Sequence, residues 1–218
     1  MPATPAAPVR LDIFADPVCP WCLIGKAELD QALAARPDHP FAIAWHPFRL
    51  NPTMPEEGMD YRSYMLAKLG SEQRLAEILG RVSDAARRLG LEIHPERITR
   101  AQNTLNAHRL IHWAGIEGVP GAVMDGLLRA YWVEGRDISD PAELVAIARA
   151  AGMDGAAVAR LLAGDADRDT VIARETHARQ RGINAVPAYV LADTHVISGA
   201  QPASLWLEVI DELAGRQS

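Results

Sequence analysis

The chain has 218 residues, a length at which one domain, or one domain with a large insertion, buries roughly 70% of its unfolded surface. Hydrophobic residues make up 49% of the sequence and charged residues 23%, which excludes a disordered or collagen-like chain. The formal net charge is -6, with 28 acidic residues interleaved among 22 basic ones, which argues against nucleic acid as a partner.

Nothing in the sequence indicates attachment to a membrane. No stretch approaches the roughly 20 consecutive apolar residues of a membrane span. Residues 1–8 contain three prolines but no basic residue and no apolar core, so they make a poor secretory signal and indicate a flexible leader. We therefore expect a cytoplasmic protein with no membrane partner.

The first part of the chain predicts a strand, a helix and a second strand. Residues 9–15 alternate apolar and polar side chains and end at an Asp-Pro pair, which is typical of a strand followed by a turn. Residues 21–35 carry apolar side chains near helical spacing, and Pro20 precedes them where a helix best tolerates proline. Residues 41–48 predict the second strand and complete a β-α-β unit.

The middle of the chain predicts a long helical region, which begins after the proline-rich stretch at 51–55. Glycines separate its helices, as expected at helix C-termini. Asp140, Pro141 and Glu143 predict a capped helix start, in which Glu143 completes a capping box. The predicted helices cover 60–69, 71–89, 103–115, 120–134, 140–151, 154–163 and 167–181.

The last part of the chain returns to strands. Residues 187–191 and 194–198 predict a hairpin, and a final helix follows from Pro202 to Ala214. Two strands at each end of the chain would make sheets too small to be stable alone, so we expect one α/β unit interrupted by an all-α insertion. The expected boundaries are 9–55 for the first part of the α/β domain, 56–181 for the inserted helical domain and 182–216 for the second part.

The two cysteines of the chain, Cys19 and Cys22, enclose Pro20 and Trp21 at the start of the first predicted helix. A C-x-x-C that follows a strand and opens a helix is typical of a redox-active dithiol. The free N–H groups and the dipole of the helix N-terminus stabilise a thiolate, so Cys19 is the expected nucleophile. Because Cys22 follows one turn later, it can attack a mixed disulfide as the resolving thiol.

Two other interpretations of the cysteine pair stay open. The pair is half of a zinc site if His108 and His112, which lie four positions apart on a predicted helix, supply the other ligands. It is structural if both thiols are inert core residues. The position of the motif between strand and helix favours the redox interpretation.

The Val186-Pro187 pair, directly before the late hairpin, is the second candidate element of the site. X-Pro is the only peptide bond at which the cis form costs as little as about 0.5–1 kcal/mol. A cis Pro187 would present the backbone groups of Val186 outward, where they can pair with a substrate chain. A trans proline that starts an edge strand is the alternative, and the competing Val119-Pro120 pair is better explained as a turn.

With these features the chain resembles the FrnE-like branch of the DsbA family of thioredoxin-fold oxidoreductases. The resemblance implies a thioredoxin fold with an inserted α-helical domain, dithiol exchange at the C-x-x-C, and a cis Pro187 that faces the dithiol. The matching segments are 16–25 (DPVCPWCLIG), 47–55 (PFRLNPTMP) with Gly58, 103–109 (NTLNAHR), 129–141 (RAYWVEGRDISDP), 182–187 (GINAVP) and 198–202 (SGAQP).

The resemblance also implies kinship with glutathione-dependent 2-hydroxychromene-2-carboxylate isomerases and kappa-class glutathione transferases. Those relatives have serine where this chain has Cys19, which favours a thiol-disulfide oxidoreductase and leaves a glutathione-dependent isomerase or transferase as the alternative. The expected partner is a small-molecule or protein disulfide or thiol, with glutathione as candidate co-substrate and no tightly bound cofactor or metal. Because related folds often dimerise, a homodimer is a further expectation.

The resemblance suggests substrate-binding residues outside the dithiol, among them Val186. In the family the segment of Asn103 and His108 faces the dithiol groove, so His108 can polarise a substrate or stabilise the nucleophilic thiolate. A helix cap and a packed histidine are the alternatives. Ala200 and Gln201 precede the last helix, whose free N–H groups can bind a carboxylate such as that of glutathione. An ordinary helix start is the alternative for this turn.

Four polar residues near the predicted strands complete the candidates. Asp16 and Asp12 are candidates for the buried acid that thioredoxin-type proteins often keep near the resolving cysteine. Arg49 and Asn51, at the exit of the second strand, either line the groove or serve as turn and surface residues.

Overall fold

A computed structural model describes residues 8–215, so most of the predicted leader and residue 216 of the last predicted segment lie outside the described residues. The predicted strands and helices are all present within this range, with ends shifted by two residues or fewer. The strands are β1 (Val9–Ala15), β2 (Phe41–Pro47), β3 (Met59–Asp60), β4 (Arg100–Ala101), β5 (Ala188–Leu191) and β6 (His195–Ser198). The α-helices are α1 (Pro20–Ala35), α2 (Tyr61–Leu69), α3 (Glu72–Arg88), α4 (Leu105–Glu117), α5 (Pro120–Trp132), α6 (Pro141–Ala150), α7 (Gly155–Leu162), α8 (Arg168–Gln180) and α9 (Ala203–Gly215).

Four strands form the central sheet in the order β2-β1-β5-β6. Strands β1 and β2 run parallel, with Val9 opposite Phe41, whereas β5 runs antiparallel to both β1 and β6. A parallel β-α-β unit joined to an antiparallel hairpin is the thioredoxin arrangement, and the helical insertion connects β2 to β5. The expected fold class is therefore confirmed.

The two faces of the sheet are covered by different helices. Because side chains alternate along a strand, Leu11 and Ile13 of β1 point to the face covered by α1 and α9, where they pack with the fully buried Trp206. Asp12 and Phe14 point to the opposite face, beneath α8. The charged Asp12 thus lies under a helix rather than in the apolar layer.

The inserted helices share a core with the sheet. Helices α4 and α8 pack against β2, and one buried cluster joins Phe48 and Val190 to Leu127 and Trp132 of α5. The boundaries at residues 55 and 181 therefore stay predictions about chain organisation, because no separate core marks them. In the described part of the chain, no helix has the length and apolar character needed to cross a membrane.

The start of α6 shows where local sequence signals hold and where they fail. The Asp140 carboxylate accepts the Ala142 N–H at 2.8 Å and caps the helix, as predicted. The capping box is wrong, because Glu143 pairs with Arg136 instead of reaching back to the cap. The Asp140 N–H donates to the Asp137 carbonyl oxygen at 3.2 Å, so it already has a partner.

Candidate active site

The dithiol lies at the N-terminus of α1, where the sequence predicts it. Cys19 is the N-cap residue, and Pro20 follows in the first turn. The Cys19 N–H donates to the Asp16 carbonyl oxygen at 2.9 Å, and the Cys22 N–H donates to the Cys19 carbonyl oxygen at 3.0 Å. Both cysteines are free thiols within hydrogen-bonding reach of each other. The Cys19 sulfur therefore sits at the positive end of the helix dipole, where a thiolate is stabilised.

The loop of Val186 and Pro187 lies against the nucleophilic sulfur. The Cys19 thiol donates to the Val186 carbonyl oxygen across 3.5 Å, although 167 positions separate the two residues in the sequence. The Val186-Pro187 peptide bond is cis. The fold thus brings together the two elements that the sequence analysis placed in one site.

Gly25 allows α1 to lie close to this loop. A Cβ atom at position 25 would lie 2.5 Å from the Tyr189 hydroxyl and 3.1 Å from Cγ of Pro187. The first of these separations is shorter than van der Waals packing permits, so any larger residue would push the helix and the loop apart. The missing side chain at Gly25 therefore sets the distance between the dithiol helix and Pro187.

The two thiols have different surroundings. Both cysteines are buried, but Cys19 lines a cavity and Cys22 does not. Burial raises the pKa of Cys22 well above its usual value, and the hydrogen bond and charge of Cys19 raise it further. A backbone hydrogen bond with Asp16 lowers the pKa of Cys22, and the carboxylate charge of Asp16 raises it. The protonated form of Cys22 is therefore favoured.

Asp16 is the buried acid beside the dithiol. Its carboxylate accepts the Leu50 N–H at 2.7 Å and the Val18 N–H at 3.4 Å. The side chain is fully buried, and its charge acts on Cys22. Of the two acids considered from the sequence, Asp16 occupies the position expected for a group that influences the resolving thiol.

His108 contacts Asp16 and not the cavity. The imidazole is fully buried, with Nε2 3.6 Å from Oδ1 of Asp16. Neither ring nitrogen has a hydrogen-bond partner among residues 8–215. His108 does not line the cavity that Cys19 faces, and its role in binding or polarising substrate stays a prediction. Its contact with Asp16 links it to the residue whose charge acts on Cys22.

Cys19 opens into a cavity of about 300 Å³, within the size range of small-molecule sites. Trp21 of the motif lines the cavity and is 37% exposed. The Trp132 indole donates to the Pro17 carbonyl oxygen at 3.1 Å, and this hydrogen bond connects the insertion to the loop before the dithiol. The lining beyond the predicted motif includes Met54, Tyr61, Tyr64, Met65, Lys68, Leu69, Ile78, Leu79, Tyr131 and Trp132. The site is therefore largely aromatic and aliphatic.

Helix α2 is the part of the site that the sequence analysis missed. It buries none of its side chains fully, and Tyr61, Tyr64 and Met65 stay half-buried along the cavity wall. Burial raises the pKa of Tyr61 to about 12, so its hydroxyl stays a hydrogen-bond donor at neutral pH. The available signal was the i, i+3, i+4 spacing of these residues in an otherwise polar helix, which by itself predicts only a core-facing stripe.

Asn103, a predicted substrate-binding residue, lies outside this cavity. Its side-chain amide donates to the Met54 carbonyl oxygen at 2.6 Å, and its side-chain oxygen accepts the Leu105 N–H at 2.9 Å. Both polar groups are therefore used at the start of α4, where Thr104 is the N-cap residue. These contacts fit the helix-start alternative for Asn103, and its substrate-binding role stays a prediction.

The turn at Ala200 and Gln201 also lies outside the cavity. The Gln201 amide donates to the Ser198 carbonyl oxygen at 2.8 Å. At the start of α9, the Ala203 N–H donates to the Glu28 carboxylate at 2.7 Å. An internal carboxylate thus already occupies the helix N-terminus at which we expected the carboxylate of glutathione.

The remaining candidates near the strands divide between the cavity and the core. Asn51 lines the cavity. Arg49 does not, because it is buried in an ion pair with Glu175 at 2.6 Å. Asp12 contacts His46 on the sheet face beneath α8 and does not act on the resolving thiol.

The histidines of the zinc interpretation point to different neighbours. His112 Nδ1 lies 2.8 Å from the Arg174 guanidinium and not beside the cysteines, while His108 faces Asp16. Across the described range, no three His, Cys, Asp or Glu side chains are grouped as a metal ion would require.

The Asp16→Asn substitution tests the electrostatic link between this residue and Cys22. Because the Asp16 charge raises the pKa of Cys22, its removal is expected to lower that pKa and speed alkylation of Cys22 severalfold at neutral pH. The measurement is the pH dependence of alkylation by iodoacetamide in a Cys19→Ser background, where Cys22 is the reacting thiol. Asp12→Asn is the matched control and should leave the profile unchanged. A profile that moves to higher pH, or moves equally in the control, would contradict the link.

The sheet order, the dithiol at a helix N-terminus and the adjoining Pro187 loop define a thioredoxin-fold protein with a helical insertion. Comparison with known proteins gives the family: residues 10–211 match the model of the DSBA-like thioredoxin domain. The chain belongs to this family. The chain is similar to a protein from Streptomyces coelicolor whose crystal structure is described as that of a probable DsbA oxidoreductase. The two share 31% sequence identity and a TM-score of 0.83, over 96% of this chain and 92% of that one.

Two further solved structures share the fold at lower identity. A 2-hydroxychromene-2-carboxylate isomerase is 16% identical, with a TM-score of 0.72, over 95% of this chain and 97% of that one. DsbM from Pseudomonas aeruginosa, described as a cytosolic disulfide reductase and solved with GSH, is 17% identical, with a TM-score of 0.63, over 93% and 94%. The fold thus occurs in disulfide oxidoreductases and in a related isomerase, while the narrower FrnE-like assignment stays a prediction.

Proposed function

We propose that this protein is a thiol-disulfide oxidoreductase in which Cys19 is the nucleophile and Cys22 the resolving thiol. The observation that carries the proposal is the asymmetry of the dithiol. Cys19 faces the cavity from the positive end of α1, while Cys22 does not line it and has a pKa raised by burial. Membership of the DSBA-like family supports the same reaction class.

The reaction proceeds in two exchange steps. The Cys19 thiolate attacks one sulfur of a substrate disulfide, which forms a Cys19-substrate mixed disulfide and releases the first substrate thiolate. Cys22 then loses its proton and attacks the Cys19 sulfur, which forms the Cys19-Cys22 disulfide and releases the second thiolate. The substrate gains two electrons and the enzyme dithiol loses two. Asp16, whose charge reaches Cys22, is the group placed to influence the proton lost in the second step.

The cavity supports a substrate with an apolar or aromatic group next to its sulfur. Its walls are formed by Trp21, by Tyr61 and Tyr64 of α2 and by residues of α3 and α5. The carbonyl oxygen of Val186, which accepts the Cys19 thiol proton, can accept a hydrogen bond from a substrate amide instead. A small-molecule disulfide or an extended peptide segment satisfies these contacts.

Glutathione is the proposed co-substrate that returns the enzyme to the dithiol state. Two glutathione molecules would reduce the Cys19-Cys22 disulfide and leave as glutathione disulfide, which balances the two electrons given to the substrate. The support is the likeness of the fold to DsbM, which was solved with GSH and is described as cytosolic. On the same support we propose a cytoplasmic setting, where thiols are kept reduced. The expected homodimer stays a prediction.

Trapping with the Cys22→Ser variant tests the proposal. Without the resolving thiol, the mixed disulfide on Cys19 should accumulate, and mass spectrometry of the variant after incubation with cell lysate should identify the attached partner. A reductant should release the adduct. The Cys19→Ser, Cys22→Ser double variant is the matched control and should carry no adduct. The proposal fails if the double variant carries the same species or if Cys22→Ser carries none.

A glutathione-dependent isomerase or transferase is the alternative function. The observations in its favour are the likeness of the fold to 2-hydroxychromene-2-carboxylate isomerase and the aromatic cavity beside position 19. That chemistry activates bound glutathione without net redox change and does not need a resolving thiol. Isomerisation of a chromene carboxylate that survives Cys22→Ser would favour the alternative over the oxidoreductase.

A further inference from the structure

A second cavity, of about 550 Å³, lies between the central sheet and α8. Helix α8 packs on β2, and the cavity opens between this helix and the neighbouring strands β1, β5 and β6. No residue lines both this cavity and the one that Cys19 faces. Its volume falls within the range of small-molecule sites, and the proposed dithiol chemistry makes no use of it.

One wall of the second cavity holds the half-buried guanidinium of Arg174. Its Nη1 donates to Nδ1 of His112 at 2.8 Å, and its Nη2 donates to Nδ1 of His46 at 3.0 Å and to the Trp45 carbonyl oxygen at 3.4 Å. All three acceptors are uncharged when the imidazoles are neutral. Within residues 8–215, no carboxylate oxygen lies within 4.0 Å of this guanidinium.

The nearest negative charge is already committed to other groups. The Asp12 carboxylate accepts from Arg10 at 2.9 Å and from Nε2 of His46. Burial is the main factor that lowers the pKa of both His46 and His112, so both imidazoles are neutral at pH 7. His46 thus holds its proton on Nε2 toward Asp12 and presents Nδ1 to Arg174. Burial lowers the pKa of Arg174, and the charge of Asp12 offsets part of this effect without making an ion pair. The Arg174 guanidinium therefore has no carboxylate in contact in a partly desolvated place, which is costly.

The rest of the cavity is apolar with a charged rim. Phe14, whose ring stacks on His46 with centroids 4.8 Å apart, forms its floor together with Val190 and Val196, and Val196 is 60% exposed. The polar residues at the rim include Arg10, Arg181, His177 and Asp193. The cavity therefore combines an unpaired cation with an apolar surface large enough for a ring system.

We propose that this cavity is a binding site for a small organic anion, with its carboxylate on Arg174 and its apolar body against Phe14, Val190 and Val196. An arginine guanidinium pairs with a carboxylate through charge-assisted hydrogen bonds, which are stronger than the bonds to neutral acceptors that Arg174 makes now. The site is independent of the dithiol and does not rest on the proposed redox function.

Binding of 2-naphthoate to the full-length protein tests the proposal, with 1-naphthylmethylamine as the cationic probe that has the same ring system. Calorimetry should show naphthoate bound at least about tenfold more tightly than the amine. Amide signals of Val190 and Val196 in nitrogen-15 spectra should shift, while those of Cys19 and Trp21 should not. Alkylation of Cys19 with iodoacetamide should leave the affinity unchanged, so a failed redox assay and a failed binding assay are separate results.

Two variants of the second cavity locate the anion. Arg174→Gln should weaken naphthoate binding about tenfold, the scale of one lost charge-assisted hydrogen bond. Arg181→Gln, at the exposed rim, is the matched control and should change binding much less. Because Arg174→Gln also removes bonds to two histidines, Val196→Trp provides a second variant at an exposed position, which fills the cavity and should likewise weaken binding. Equal affinity for the two probes, shifts confined to the Cys19 cavity, or unchanged binding in both Arg174→Gln and Val196→Trp would overturn the proposal.

Discussion

Cys19→Ser is expected to lower the rate of disulfide turnover by at least about a thousandfold. A serine hydroxyl is not ionised at neutral pH, so the substitution removes the nucleophile of the first exchange step while it keeps nearly the same volume at the start of α1. The measurement is the reduction of bis(2-hydroxyethyl) disulfide, and separately of insulin, with glutathione as the reductant. Far-UV circular dichroism should show the same helix content as the parent protein.

The Cys22→Ser variant is the matched control for this result. It should lose multiple turnover but still react once, releasing one thiol from each disulfide molecule as Cys19 becomes modified. Comparing the two variants separates the two roles, because release of the first thiol from the substrate needs only the nucleophile. Turnover of Cys19→Ser within tenfold of the parent, or a single release that depends on Cys22 rather than Cys19, would contradict the assignment.

Arg109→Leu is expected to lower the free energy of unfolding by roughly 3 kcal/mol without changing turnover per folded molecule. The Arg109 guanidinium is buried and donates to the carbonyl oxygens of Leu161 at 2.7 Å, Gly164 at 2.6 Å and Ala166 at 2.8 Å. These carbonyls belong to the end of α7 and the turn before α8. Leaving such acceptors unsatisfied costs about 1–3 kcal/mol each, and solvent recovers part of that cost because the turn lies at the surface.

Urea unfolding followed by tryptophan fluorescence measures this effect. Arg109→Lys should recover only part of the stability, because an ammonium group cannot reach all three carbonyls as the planar guanidinium does. Arg129→Leu, which removes an exposed arginine paired with Glu134, is the control and should change stability little. If the turnover rate of Arg109→Leu falls only as much as its folded fraction falls, the role of Arg109 is structural. A loss of turnover in fully folded protein would instead place Arg109 in the site.

Arg109 also shows that a motif shared with a family can contain both structural residues and residues near the active site. The segment 103–109 matches the family resemblance as a block, and the resemblance implies that it faces the dithiol groove. In the structure Asn103 and Arg109 bind backbone groups, whereas Thr104 lines the cavity that Cys19 faces and His108 contacts Asp16. A residue type in a motif does not reveal whether its hydrogen bonds go to substrate or to the chain, because both uses select the same polar groups.

The cavity walls illustrate the same difficulty for apolar residues. Tyr61, Tyr64 and Met65 follow a helical stripe that is equally typical of core packing. Their exposure to the cavity arises because α2 touches α3, β3 and β4 but buries no side chain fully. Only the arrangement of the insertion over the N-terminus of α1 turns this stripe into a surface of the site.

The turn before α9 shows a contact that only the tertiary structure reveals. A helix N-terminus attracts a carboxylate from any source, whether a ligand or a side chain of the same chain. The Glu28 side chain of α1 supplies that carboxylate to the Ala203 N–H. The two residues lie 175 positions apart, so the pairing depends on the packing of α1 beside α9 across one face of the sheet.

The sequence by itself determined, in chain order, the β-α-β start, the dithiol at a helix N-terminus, the helical insertion and the late hairpin. These follow from periodicity, from proline and glycine positions and from the short C-x-x-C spacing, all of which act between residues close in the chain. The tertiary structure decided that Val186 meets Cys19, that Asp16 rather than Asp12 reaches Cys22, and that Arg174 is left without an anion. Those outcomes depend on which faces of distant elements pack together, and such packing is set by the burial of the whole molecule rather than by any local pattern.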